Sequence, residues 1–114
     1  MHDEPLIDTA VWRELQDTAG AEFSIELAHT FLDEAIGMLA GLRSAQAAGD
    51  ADAFRRAAHS LKSNALTFGA GPLAQQARAL ELGGLASASP AALEALATVW
   101  QTTAAALKAT AEAP

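Results

Sequence analysis

The sequence has no cysteine and no tyrosine, four phenylalanines and two tryptophans, and seven basic residues against fourteen acidic ones. Without cysteine there is no disulfide framework, no thiolate metal site and no thiol nucleophile. The net charge of −7 removes the basic face that binding a phosphate backbone needs, so nucleic acid is not an expected partner. The same charge argues against an anionic membrane surface. No apolar run approaches the roughly 20 residues of a membrane span. The opening MHDEPLIDTA carries neither the basic nor the apolar segment of a secretory signal. Long β-branched runs, which strands favour, are also missing. These absences leave a soluble, cytoplasmic, helical protein as the expectation.

What is present agrees with that. The chain of 114 residues, 51% of them hydrophobic and mostly alanine and leucine, is long enough for one core, so a single domain over 1–114 is expected. Alanine and leucine lose little freedom on entering a helix. Five helical segments can be marked. Asp8 suits the N-cap of a short helix from about Thr9 to Ala19, closed by Gly20. A long helix runs from about Glu22 to Ala48, and Asp50 or Asp52 caps a third that reaches about Phe68. GAGP (Gly69 to Pro72) breaks the chain before a fourth helix ending at Gly83 and Gly84, and Ser89–Pro90 starts a fifth that reaches about Thr110, with a frayed tail.

On a wheel of about 100° per residue, Phe54, Ala58, Leu61, Ala65 and Phe68 share one stripe. So do Leu73, Ala77 and Leu80, and in the last helix Leu93, Ala97, Trp100, Ala104 and Leu107. The long helix offers Phe23, Leu27, Phe31, Met38 and Leu42. The fold class predicted is all-α, an antiparallel up-and-down four-helix bundle. The short first helix, with Val11, Trp12 and Leu15, is an additional element capping one end or side.

His59 is the residue that stands out. It lies well over 100° from the centre of its helix's apolar stripe and should face solvent, with Arg55 at i−4 and Lys62 at i+3 on the same face. Ser63, Asn64 and Ala65 follow, all small. An ordinary surface histidine is the bland explanation. Metal binding is disfavoured, because His2, His29 and His59 have no paired ligand spacing. A hydrolase triad is disfavoured too, since nothing forms a strand-to-helix elbow to expose Ser60 or Ser63. The remaining chemistry is group-carrying use of the imidazole, whose neutral form has a free lone pair. Adjacent cations would then serve an incoming anion such as a phosphoryl group.

AHSLKSNALTFGA, Ala58 to Ala70, closely resembles the signature of histidine-containing phosphotransfer (HPt) domains, roughly A-H-x-L-K-G-x-[AS]-x-x-x-G-A. AAGDADAFRRAAH before it, LAQQARALE after it and the Phe31–Leu32 pair extend the resemblance from Leu6 to about Lys108. The resemblance implies that His59 accepts a phosphoryl group from the aspartyl phosphate of one receiver domain and passes it to another. It makes Lys62 the lysine that favours the phosphorylated state. It places Glu81 on the next helix, facing the histidine and suited to orient the ring through its non-reacting nitrogen. It implies a monomer that binds neither ATP nor metal, with receivers of response regulators or of a hybrid histidine kinase as partners; the receivers bring magnesium. Two residues depart from the pattern. Ser63 stands where glycine is usual, which tightens partner approach or offers a hydroxyl to the imidazole, and Asn64 stands where a smaller residue is usual.

Around the histidine, Arg55, Ser63, Leu66 at i+7 and Leu32 on the long helix are expected to contact a partner. Ile36 and Leu39 continue an apolar strip that either serves docking or packs beneath the first helix. Two other functions remain open: a helical scaffold module with His59 idle, and the phosphoryl-accepting domain of a chemotaxis-type histidine kinase. The initial Met1 and the lack of a linker or catalytic segment favour a free-standing protein over an excised module.

Overall fold

The computed structural model describes residues 5–113; His2 lies outside them. Among the described residues the order is α1 (Thr9–Ala19), α2 (Ala21–Ala48), α3 (Ala51–Thr67), α4 (Gly71–Gly83), a turn of 3-10 helix (Gly84–Ser87) and α5 (Pro90–Glu112).

The helix starts follow the capping residues. Asp8 accepts from the Ala10 amide at 3.0 Å, Asp50 rather than Asp52 accepts from Ala53 at 3.0 Å, and Ser89 Oγ accepts from Ala92 at 3.0 Å. Each supplies an acceptor to an amide that the helix itself cannot satisfy. Between α1 and α2 stands only Gly20, whose φ of 91° makes the corner. α5 runs two residues past the expected end at Thr110, because Ala111 is buried and continues its inner face.

α2, α3, α4 and α5 form the up-and-down bundle: each packs on its neighbour in the chain and α5 closes back onto α2. α3 packs most extensively against α4. α1 lies on α2 and buries Trp12, with Ile7 just before it. The stripe expected on α3 is wholly buried, as are Leu73, Ala77 and Leu80 on α4 and Leu93, Trp100 and Leu107 on α5. Phe31 of α2 stacks on Phe68 with centroids 5.3 Å apart and meets Trp100 edge-on at 5.5 Å, tying three helices together.

α2 departs from expectation. Phe23 is 53% exposed rather than core, and Leu27 and Met38 are half-buried. The innermost positions are Ser24, Ala28, Phe31, Ala35, Leu42 and Ala45. α2 packs against α1, α3 and α5, and close approach on several sides selects small side chains along its inner seam. Leu39 does not pack beneath α1. It lines a groove between α2 and α5 with Trp100, Ala97 and the 65% exposed Ile36.

Candidate functional site

Asp50 and the first turn of α3 fix the helix on which His59 sits; Ala58 and Leu61, both fully buried, hold that helix to the core on either side of it. His59 therefore points outward, its side chain 58% exposed. Pro72 in the first turn starts α4, and Leu73, Ala77 and Leu80 bury its inner face. Glu81, one residue beyond Leu80, is thereby set against α3. Its Oε2 lies 2.7 Å from His59 Nδ1, and its Oε1 lies 2.7 Å from the Lys62 ammonium. One carboxylate thus receives both the ring and the lysine. The Oε1 atom is buried, so Lys62 supplies the partner that a shielded charge requires.

The electrostatics follow. Hydrogen bonding to Lys62 foremost, and then to His59, holds the Glu81 carboxyl below the ordinary glutamate range, outweighing partial burial. A carboxylate can only accept, so the imidazole Nδ1 carries the proton in this bond, and in the neutral form of the ring Nε2 keeps its lone pair. A rigidly placed, solvent-facing nucleophilic nitrogen is what a group carrier needs.

The other expected residues are distributed unequally. Arg55 is turned to Asp52, with Nη2 2.7 Å from Oδ1. Ser63 is exposed and its hydroxyl makes no bond to the imidazole; its backbone carbonyl instead accepts from Thr67 Oγ1 at 3.1 Å. Asn64 turns its amide back to the Ser60 carbonyl at 2.9 Å. Leu66 is 57% exposed, lining a shallow cleft with Pro5, Val11 and Gly69. Leu32 is only half-buried but packs on the core, so it offers less free surface than a docking residue was expected to. His29 is exposed on α2. Arg56 and Ser60, neither of them among the site residues expected from the sequence (Ser60 entering only as a disfavoured nucleophile), line the open cleft beside His59 together with Arg55 and Glu81. The i−3 spacing of Arg56 from His59 was the available signal. Among the described residues no helix is long and apolar enough to cross a membrane.

A helical bundle presenting an exposed histidine, anchored by a carboxylate from the neighbouring helix, is built as a carrier of a transferable group. Comparison with known proteins gives that class its family. The Hpt domain profile matches residues 26–110. The fold superposes on the crystal structure of histidine-containing phosphotransfer protein B (HptB) from Pseudomonas aeruginosa PAO1 with a TM-score of 0.86 and 28% sequence identity, covering 96% of this chain and 97% of that one. No curated protein sequence matches. The chain belongs to the Hpt family, the histidine phosphotransfer domains of phosphorelays.

Proposed function

We propose that His59 is the phosphoryl-accepting residue and that the chain, as one domain over 1–114, carries phosphoryl groups between receiver-domain aspartates. The observation that carries this is the 2.7 Å contact between His59 Nδ1 and Glu81 Oε2 on an otherwise exposed ring. In the transfer, the Nε2 lone pair attacks the phosphorus of a receiver's aspartyl phosphate. The N–P bond forms as the P–O bond to the aspartate breaks, and the aspartate leaves as carboxylate with the bonding pair. The ring becomes a cation that retains its Nδ1 proton, and Glu81 stabilises that charge without taking the proton. Transfer onward is the same step in reverse, onto a second receiver.

Lys62 supports this arrangement by holding Glu81, and its ammonium stands within one turn of the phosphorylated ring. Leu66 is the exposed apolar side chain on the histidine's face of α3 and belongs to the receiver-docking surface, with Leu32 at its edge. The protein acts as a carrier without a kinase site of its own, in the cytoplasm and as a monomer, binding receiver domains of response regulators or of a hybrid kinase.

The test is direct. Receiver domains charged with acetyl phosphate and magnesium should pass label to the protein, and the label should be acid-labile and base-stable as phosphohistidine is. His59→Gln should abolish it while moving stability by no more than about 0.5 kcal/mol, as for other surface substitutions. Label retained in that variant, at His29 or at His2, overturns the assignment.

A further inference from the structure

The cations around His59 are not equivalent. The open cleft beside the ring, about 360 Å³, is lined by Arg55, Arg56, His59, Ser60 and Glu81. Lys62 does not line it: its side chain is 22% exposed and its ammonium sits on Glu81 Oε1. Both oxygens of Glu81 are thereby engaged, one by the ring and one by the lysine. Arg55 reaches the cleft with a guanidinium already bonded to Asp52 at 2.7 Å, so one face of it is engaged outside the cleft. Arg56, one turn before His59, forms no ion pair among the described residues; Asp52 feels its charge only weakly, as the least of the influences on that carboxyl. Ser60 offers a hydroxyl with no hydrogen-bond partner among the described residues.

We infer that Arg56, with the Ser60 hydroxyl beside it, forms an anion subsite that grips the phosphoryl oxygens as the group passes to and from His59. The inference rests on His59 being the acceptor. A guanidinium presents two parallel N–H donors that match two oxygens of a phosphoryl group, and it stays charged at any working pH. The phosphoryl group on histidine brings up to two negative charges into a cleft that already holds the Glu81 carboxylate. An uncommitted cation is needed there to offset them. Of the three basic side chains near the ring, Arg56 alone both lines the cleft and is uncommitted. Lys62 then acts chiefly through Glu81, and Arg56 touches the transferred group.

The experiment compares the parent with Arg56→Ala, Arg56→Lys and Arg55→Ala, each charged from acetyl-phosphate-loaded receiver domains. The isolated phosphoproteins are then followed by phosphorus NMR against pH. Arg56→Ala should accept label roughly tenfold more slowly, as loss of one charged hydrogen bond implies. Its phosphoryl resonance should titrate at higher pH than the parent's, because the neighbouring cation that favours the dianion is gone. Arg56→Lys should recover part of both, and Arg55→Ala should leave the phosphoryl titration, read with no receiver present, where the parent has it. The phosphoryl titration separates contact with the group from slower receiver docking, since no receiver is present when it is read. Parent-like behaviour of Arg56→Ala, or an equal shift of the phosphoryl titration in Arg55→Ala, overturns the subsite while leaving His59 as acceptor. Failure of the parent to form phosphohistidine overturns both readings.

Discussion

His59 and Glu81, 22 residues apart in the chain, meet with Nδ1 and Oε2 2.7 Å apart. That contact spans two helices, yet it costs the ring none of the solvent access on its other side. The core beneath it makes this possible: Ala58, Leu61, Ala77 and Leu80 bury completely or nearly so and hold α3 against α4 at one register. Glu81 then acts as a bracket, binding Lys62 with one oxygen and the imidazole with the other.

The bracket has a pH signature. The Glu81 carboxyl is held below its ordinary range, first by Lys62 and then by His59, so the folded state binds its proton less readily than the unfolded chain does. Its contribution to stability is therefore complete above the unfolded value of roughly 4.3 and is lost as pH falls through the lowered folded value. Comparing the parent with Glu81→Gln in urea melts, the gap in midpoint should be constant near neutrality and close on acidification. A gap that persists unchanged through acid unfolding would show that the charge of Glu81 contributes nothing.

Lys62 should be tested as the holder of that bracket. Lys62→Ala removes the partner of the buried Oε1 atom, freeing the carboxylate to turn to water and release the ring. Phosphoryl acceptance should slow by roughly tenfold and the phosphohistidine should hydrolyse sooner, with helicity retained by circular dichroism. Lys62→Arg should restore part of the rate. Transfer at the parent rate from every receiver tried would remove Lys62 from the machinery.

The legibility of these features in the sequence varies with their range. Caps are local, so Asp8 and Ser89–Pro90 could be read directly, and Asp50 as one of two neighbouring candidates. The α3 stripe is also local: one inner face alternates with polar residues, and its phase put His59 outward. α2 resisted because it packs against three helices, so its apolar residues do not form one stripe, and its inner seam is Ser24, Ala28, Ala35 and Ala45. Weighting large side chains drew Phe23 inward when it is exposed. Glu81 reached the candidate site through the family resemblance, since no periodicity within one helix reports a partner on the next. The Arg55–Asp52 pair at i,i+3 was within reach of the spacing rules, and it is what separates Arg55 from Arg56.

Two glycines should respond to alanine with opposite signs. Gly69 has φ of 72°, and a Cβ there would stand 2.8 Å from the Asp8 carbonyl oxygen and 2.9 Å from Val11 Cβ. The Gly69 carbonyl also accepts from the Asp8 amide at 2.8 Å, pinning the start of α1 to the α3–α4 turn. Gly69→Ala should cost about 1–2 kcal/mol for the left-handed backbone alone, with α1 displaced and Trp12 fluorescence shifted to the red. Gly37 lies within α2, and a Cβ there meets nothing within 4 Å. Gly37→Ala should raise stability by about 0.5–1 kcal/mol, the ordinary cost of glycine in a helix interior. Thermal melts of both variants check the pair, and a destabilised Gly37→Ala would mean that the α2 surface is less open than described.

Leu66 carries the docking prediction. Seven residues beyond His59, it lies about 10 Å along the same face of α3, and its side chain is 57% exposed. A receiver that brings an aspartyl phosphate to His59 covers roughly 800 Å² of this protein, a footprint wide enough to include Leu66. Leu66→Asp should therefore weaken receiver binding and slow transfer at low receiver concentration, with the deficit recovered as the receiver is raised towards saturation. The melting temperature should hardly move. Leu61→Ala is the contrast on the same helix: fully buried, it should cost about 2–5 kcal/mol while leaving the histidine's surroundings chemically unchanged. Isothermal titration with one charged receiver and a melt of each variant separate the two effects. A Leu66→Asp protein that binds and transfers as the parent does would place the docking surface elsewhere around His59.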